Sequence, residues 1–207
     1  MQMNQKKILV VTGPQGSGNH LWSKIFSSHK DVCGWTELTK RYWITHKEEP
    51  FRHAWLEPKL LYDMEFKHEN YYTNTSFPTG GHVKKTRATN NIQSEKRIPK
   101  VKEFIETLKD IGFDVQIGIT SRDKNILKLQ QERRWREETT PEFLDIIEQI
   151  ENPIFLNYES LLLYREKYVK SLNINIPINY DEISYNIKID QNQKYICNFS
   201  PSSLRKR

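Results

Sequence analysis

A short apolar run near the start of the chain leads directly into a glycine-rich segment. Residues 6–12 read Lys-Lys-Ile-Leu-Val-Val-Thr, and their four consecutive aliphatic residues are typical of a strand buried on both faces at the centre of a parallel sheet. Over residues 18–29, apolar residues recur at three- and four-residue intervals, which predicts a helix. The sequence therefore predicts a strand, a glycine-rich turn and a helix in succession.

The glycine-rich segment has the composition of an anion-binding loop. Glycines let the backbone fold around an anion with its N–H groups pointing inward, and the following helix N-terminus adds partial positive charge. The alternative is a simple tight turn between strand and helix, but three glycines and a serine within residues 13–18 exceed what such a turn requires. The residues expected to bind the anion are Gly13, Gln15, Gly16, Ser17, Gly18, Asn19 and His20.

The loop differs from a Walker A motif at two positions. The spacing from Gly13 to Gly18 fits G-x-x-x-x-G-K-[ST], but Asn19 and His20 replace the lysine and the hydroxyl residue. Without the lysine a γ-phosphate loses its main charge partner, and without the hydroxyl a magnesium ion loses a ligand. The sequence therefore argues against an ordinary kinase or ATPase.

Strands and helices alternate along the rest of the chain. Strands are predicted at residues 113–120 and 153–156, a short one at 82–86, and helices over about 99–111, 123–136, 143–150 and 161–169. This alternation predicts an α/β fold with a parallel sheet, and the length of 207 residues fits a single domain. The aromatic-rich residues 31–80 are expected to form an irregular or helical cap, and residues 173–207 an irregular C-terminal segment.

Composition excludes several classes of protein. With 28% charged and 36% hydrophobic residues, neither a membrane protein nor a fully disordered chain fits. The N-terminal apolar run is too short for a signal peptide or a membrane span, so we expect a cytoplasmic protein. A net charge of +6 favours anionic partners. The basic residues are dispersed, which argues against nucleic-acid binding, and the two cysteines, Cys33 and Cys197, are too far apart to indicate a zinc site.

Several short stretches, in order, resemble the sulfotransferases that use 3′-phosphoadenosine 5′-phosphosulfate (PAPS). Residues 15–21 resemble the 5′-phosphosulfate loop, 23–32 the helix and turn after it, 83–87 the K-T-H strand, 118–123 the "vRnPrD" segment and 157–162 the "vrYEdLl" junction. Each stretch is short, and the resemblance depends on their order and spacing. It implies a three-layer fold of the P-loop type, PAPS as the sulfuryl donor and no metal.

The resemblance also implies roles for individual residues. Arg122 is similar to the arginine that binds the 3′-phosphate of PAPS. Tyrosylprotein sulfotransferases use a glutamate within C-G-E-E as the base, and residues 33–37 resemble that stretch with an offset of one residue. Glu37 is therefore the expected base, with His20 and then His82 as alternatives.

Two departures from the family concern catalysis. The basic residue of the family's loop is Gln15 here, which offers a hydrogen bond without a charge, so Lys84 or Lys85 would have to reach in. At the position where many members of the family have a histidine as the base, this chain has Arg87. The resulting hypothesis is a PAPS-dependent sulfotransferase acting on a hydroxyl of a carbohydrate or small metabolite. A nucleotide kinase with a degenerate loop and a non-catalytic nucleotide-binding P-loop protein remain open.

Overall fold

The structure, a computed structural model, describes residues 5–33, 50–80, 83–84, 92–93, 95–135, 137–187 and 190–192. The described strands are β1 (Lys7–Pro14), β2 (Val32–Cys33), β3 (Asn70–Phe77), β4 (Thr79–Gly80), β5 (Val83–Lys84), β6 (Ile92–Gln93), β7 (Lys96–Arg97), β8 (Asp114–Ser121) and β9 (Ile154–Asn157). The described α-helices are α1 (Asn19–Phe26), α2 (Val101–Asp110), α3 (Lys124–Trp135), α4 (Thr140–Ile147), α5 (Tyr158–Ser171) and α6 (Asp181–Asn186). Two 3-10 helices span Pro50–Arg52 and Pro58–Asp63.

Five strands form a parallel sheet in the order β2-β3-β1-β8-β9. β1 lies at the centre and pairs with β3 along its whole length, from Lys7 opposite Asn70 to Pro14 opposite Phe77. After β1 the chain builds β2 and β3 on one side and then crosses to build β8 and β9 on the other. In open parallel sheets this reversal of strand order opens a crevice at the carboxyl ends of the strands, where ligands bind.

Alternate residues of β1 face two separate cores. Ile8 and Val10 pack in a cluster with α2 and the segment of the 3-10 helices, whereas Leu9 and Val11 pack in a second cluster with α1, α5 and α6. All four side chains are fully buried, and burial of each contributes about 1.5–3 kcal/mol. The structure therefore confirms the predicted α/β fold, a parallel sheet with helices on both faces.

The strand β3 differs from the expectation of an irregular cap over residues 31–80. Asn70–Phe77 is an eight-residue strand beside β1, with most of its residues buried. Three consecutive buried residues, Thr73, Asn74 and Thr75, are polar, so the segment lacks the apolar run that identified β1. The buried hydroxyl of Thr73 accepts a hydrogen bond from Trp55 Nε1 at 2.9 Å. The hydrogen-bond partner of Thr73 thus lies outside the strand, in the preceding segment. The sequence of the strand alone therefore does not show that this threonine is buried.

The described aromatic residues before β3 belong to the core. Phe51 and Trp55 are buried, and the ring of Trp55 stacks on that of Phe104 in α2 with the centroids 4.1 Å apart. The segment that contains the 3-10 helices therefore places core side chains against α2. Trp35, Tyr42 and Trp43 lie outside the described residues.

Most of the other predicted elements are present, with two differences. β8, β9 and the helices α2 to α5 lie where the sequence predicts them. Of the short strand predicted at residues 82–86, the structure describes Val83–Lys84, which pairs antiparallel with β6 in a separate two-stranded sheet. The C-terminal segment, predicted to be irregular, contains the short helix Asp181–Asn186.

The strand β9 lies at one edge of the described sheet, and a tyrosine of α5 covers its main chain. Tyr168 Oη donates to Phe155 O at 2.7 Å and accepts from Asn157 N at 2.8 Å. Phe155 itself has 54% of its surface exposed. Within the described residues, no helix is both long enough and apolar enough to cross a membrane.

Replacing Thr73 with valine tests the role of the buried polar residues of β3. The change keeps the shape of the side chain but removes the acceptor of Trp55 Nε1, so we expect the free energy of unfolding to fall by about 1–3 kcal/mol. Urea denaturation measures the loss. In the control Thr107→Val, the lost hydroxyl donates to Glu103 O within α2, and we expect a smaller effect. Equal losses in the two variants would contradict the assignment.

Candidate functional site

The loop after β1 turns sharply with the help of two glycines. Gly16 has φ 90° and Gly18 has φ 105°, values that residues with a side chain rarely adopt. Between them, Ser17 donates to Pro14 O from its N at 3.2 Å and from its Oγ at 2.6 Å. The chain therefore reverses over this loop and enters α1 at Asn19.

Gly13 allows β1 and β8 to come very close at their carboxyl ends. A Cβ atom at Gly13 would lie 2.0 Å from Thr120 Oγ1, far inside any real contact. Thr120 Oγ1 lies 2.5 Å from Ser17 Oγ and donates to Asn19 Oδ1 at 2.6 Å. The glycine thus makes room for a buried hydroxyl that fixes the loop to β8.

The N-terminus of α1 has the properties of an anion-binding site. Gly18 is the N-cap residue, and within the described residues no side chain caps the helix there. The described first turn of α1 also carries no acidic residue. The first N–H groups of a helix have no carbonyl one turn earlier, and the helix dipole makes this end positive. In α1, Leu21 N and Trp22 N donate to Gly18 O at 2.9 and 3.2 Å, so the backbone N–H groups of Asn19 and His20 are the candidate donors to a phosphate or sulfate group.

The side chain of Asn19 is not directed at a ligand position but holds two strands. It is 4% exposed, and its Nδ2 donates to Ser76 Oγ at 2.9 Å and to Thr75 O at 3.3 Å. Its Oδ1 accepts from Thr120, as described above. At the position of the Walker lysine, the chain thus has a residue that ties α1 to β3 and β8. Only the backbone N–H of Asn19 remains a candidate ligand.

The side chain of Ser17 and the residue Gln15 are also packed into the protein. Ser17 is fully buried by the contacts with Pro14 and Thr120, and Gln15 is 3% exposed. The backbone carbonyl of Gln15 accepts from Gln131 Nε2 of α3 at 2.7 Å. Both residues were expected to bind the anion, and in the structure they brace the loop against β8 and α3.

Arg122, which follows β8, lies directly against the loop. Its Nη1 donates to Gly16 O at 2.9 Å and to Gln130 Oε1 at 2.5 Å. Its Nε and Nη2 both donate to Asn192 Oδ1, at 2.8 and 2.5 Å. The guanidinium carbon lies 4.6 Å from the ring centroid of Tyr158, within the range of a cation–π interaction. The structure therefore brings this predicted residue to the loop and holds its cation in a defined orientation.

Tyr158, at the beginning of α5, packs its ring against the guanidinium of Arg122. Asn157 caps the helix by accepting from Ser160 N at 2.7 Å, which positions Tyr158 under Arg122. Burial raises the pKa of Tyr158, while a hydrogen bond from Gln191 N and the charge of Arg122 act in the opposite direction. The phenol therefore stays neutral near pH 7 and presents its ring face to the cation.

The candidate catalytic residues are only partly within the described structure. His20 is exposed at the start of α1, beside the candidate anion site. Glu37, Lys85, His82 and Arg87 lie outside the described residues. In the part of the chain that the structure describes, no group of three or more His, Cys, Asp or Glu side chains could hold a metal ion.

Sequence reasoning missed three residues that form the site. For Gln130, the spacing of about two helical turns from Arg122 was a usable signal. Thr120 and Asn192 offered no signal, because their roles depend on contacts with residues 70 or more positions away.

No protein-family model matches the chain, and no curated protein matches it significantly.

Replacing Asn19 with alanine tests whether its side chain is structural. The change removes the nearer acceptor of the buried Thr120 hydroxyl, whose other acceptor, Thr12 O, lies at 3.4 Å, and it removes the hydrogen bond to the end of β3. We therefore expect a loss of about 1–3 kcal/mol in the free energy of unfolding. Asn186→Ala serves as the control, because Asn186 Nδ2 bonds only to Glu182 O within α6 among the described contacts. Chemical denaturation compares the two variants. A loss at Asn19 no larger than that at Asn186 would show that the link between strands is unimportant.

Proposed function

We propose that the chain is a PAPS-dependent sulfotransferase, which transfers a sulfuryl group to a hydroxyl of a carbohydrate or small metabolite. The observation that supports this most directly is the position of Arg122 beside the uncapped N-terminus of α1, with Nη1 2.9 Å from Gly16 O. Two separate groups suited to binding anions thus lie close together at the carboxyl ends of the central strands. PAPS carries two such anionic groups on one molecule.

The residues of the loop fit PAPS better than a nucleoside triphosphate. The backbone N–H groups at the start of α1 and the guanidinium of Arg122 are suitable donors to phosphate oxygens. Asn19, at the position of the Walker lysine, has its side chain bonded to β3 and β8, so the described loop supplies no cation for a γ-phosphate. This absence favours a donor that needs neither the lysine nor the associated magnesium ion.

Each part of the site then has a definite task. The N–H groups of the loop and of the first turn of α1 hold the 5′-phosphosulfate, and Arg122 holds the 3′-phosphate. When bound, PAPS supplies the sulfuryl group for in-line attack by the acceptor hydroxyl. A base must take the proton of that hydroxyl; we assign this role to Glu37, with exposed His20 as the alternative.

A non-catalytic nucleotide-binding protein would use the same binding groups. The feature that favours this second candidate is Gln15, because a neutral, 3% exposed amide stabilises the charge that develops on a leaving phosphate less than a lysine would. For the chain to be a catalyst, Lys84 or Lys85 would have to supply the missing charge. Turnover therefore distinguishes the two candidates, whereas binding alone does not.

Calorimetric titration of the unmodified chain and Arg122→Ala with adenosine 3′,5′-bisphosphate tests the binding assignment. We expect the variant to lose about 1.5–3 kcal/mol of binding free energy for the bisphosphate and little for AMP, which lacks the 3′-phosphate. Arg133→Ala, which changes an exposed arginine of α3, is the matched control and should leave both affinities intact. Equal losses for the bisphosphate and AMP would contradict the 3′-phosphate assignment. ATP with magnesium should bind more weakly than the bisphosphate.

Transfer of labelled sulfate from PAPS to a panel of hydroxyl acceptors tests the activity itself. We expect Glu37→Gln to abolish turnover while the affinity for the bisphosphate is retained, because the base does not contact the carrier. Unchanged turnover in this variant would move the base to His20 or His82. Binding of the bisphosphate without transfer to any acceptor would favour the non-catalytic candidate, and phosphoryl transfer from ATP would establish a kinase.

A further inference from the structure

Both edges of the Arg122 guanidinium are hydrogen-bonded within the protein. One edge faces the loop and α3 through Gly16 O and Gln130 Oε1. On the other edge, Nε and Nη2 both donate to one oxygen, Asn192 Oδ1, at 2.8 and 2.5 Å. This second edge has the parallel N–H pair with which arginine binds two oxygens of a phosphate or carboxylate. A neutral carboxamide oxygen therefore occupies the position expected for an anionic ligand.

Asn192 belongs to a short turn, residues 190–192, that packs on the beginning of α5. Asn192 N donates to Asp190 Oδ1 at 2.8 Å, and Gln191 N donates to Tyr158 Oη at 3.1 Å. Asn192 Nδ2 donates to Glu159 Oε1 at 3.0 Å. Because Asn192 is only 4% exposed, a ligand reaches this edge of Arg122 only if the 190–192 turn moves.

Charge favours replacement of the turn by an anion. A guanidinium forms stronger hydrogen bonds with charged phosphate oxygens than with a neutral amide oxygen. The turn also carries Asp190, close enough to Tyr158 to act on its pKa, and a phosphate at Arg122 would repel that carboxylate. When Asn192 leaves, Glu159 retains its hydrogen bond from Asp123 N at 3.1 Å. Arg122 retains its contacts with the loop, α3 and the Tyr158 ring.

We propose that the 190–192 turn is a latch, which holds the outer edge of Arg122 in the ligand-free chain and is displaced when a phosphate group binds there. The inference rests on the proposed function, since the phosphate is the 3′-phosphate of the nucleotide carrier. Only chains with the turn displaced can bind the phosphate, so the apparent affinity equals the intrinsic affinity multiplied by the fraction of chains in this open form. Ligand binding at Arg122 and release of the turn are then a single event.

Two substitutions at Asn192 alter the latch in opposite directions. Asn192→Ala removes its contact with Arg122, and we expect adenosine 3′,5′-bisphosphate to bind about 3–10-fold more tightly in calorimetry. Asn192→Asp combined with Glu159→Gln places a carboxylate on the guanidinium without setting it against the Glu159 carboxylate, so it pairs with Arg122 and competes with phosphate. Binding should then be about tenfold weaker than in Glu159→Gln alone. Asn186→Ala removes an asparagine side chain from nearby α6 and should leave the affinity unchanged.

Hydrogen exchange of the unmodified chain gives a second, independent measurement. The latch predicts faster exchange at the Gln191 and Asn192 amides when the bisphosphate is added; slower or unchanged exchange would overturn it. Weaker binding by Asn192→Ala would also overturn it, because Asn192 would then be a ligand contact. If the unmodified chain binds the bisphosphate and both Asn192 variants bind it with the same affinity as the chains they are compared with, the unmodified chain and Glu159→Gln, the latch is wrong and the proposed function stands. If neither the unmodified chain nor Asn192→Ala binds it, both proposals are wrong.

Discussion

The buried hydroxyl of Thr120 is the interaction on which the geometry of the loop depends. It lies at the carboxyl ends of β8 and β1, against the bare backbone of Gly13, and it contacts both Ser17 of the loop and Asn19 of α1. Asn19 in turn bonds to Ser76 at the end of β3. One buried hydroxyl therefore links the loop, the helix and β8 directly, and β3 through Asn19. Its low-dielectric surroundings strengthen these hydrogen bonds and make the loss of any partner costly.

The same contact also determines where the candidate cation lies. Arg122 is only two residues beyond Thr120, so the register of β8 sets the starting point of its side chain. Tyr158, Gln130 and Gly16 then orient the guanidinium from three elements of the fold. An arginine supported in this way loses little further freedom when it binds an anion, which is the condition for preorganised recognition. The loop and the cation are thus two parts of one rigid arrangement.

How much of the molecule could be predicted depends on whether the evidence was local. β1 and the loop were predictable, because an apolar run and closely spaced glycines identify them within twelve residues of sequence, residues 7–18. β3 was missed because three of its buried residues are polar, and the hydrogen-bond partner of Thr73, Trp55, is brought to it only in the folded chain. Comparison with the Walker A motif shows that Asn19 replaces the lysine. The direction of the Asn19 side chain, however, depends on contacts with β3 and β8, which are distant in sequence. Asn192 reaches Arg122 across 70 residues, a contact that no local pattern specifies.

Tyr168 has a consequence for how this molecule behaves among other copies of itself. An outer strand of a sheet offers unpaired main-chain groups to which a strand of another chain can add, a common route to aggregation. At β9 the hydroxyl of Tyr168 is already hydrogen-bonded to Phe155 O and Asn157 N. The ring of Phe155 is an exposed apolar group nearby. Burial raises the pKa of Tyr168, so this hydroxyl keeps its proton, and with it the donor, well into the alkaline range. A single side chain thus occupies two of the main-chain groups that an added strand would need, beside an exposed apolar ring that would favour such an addition.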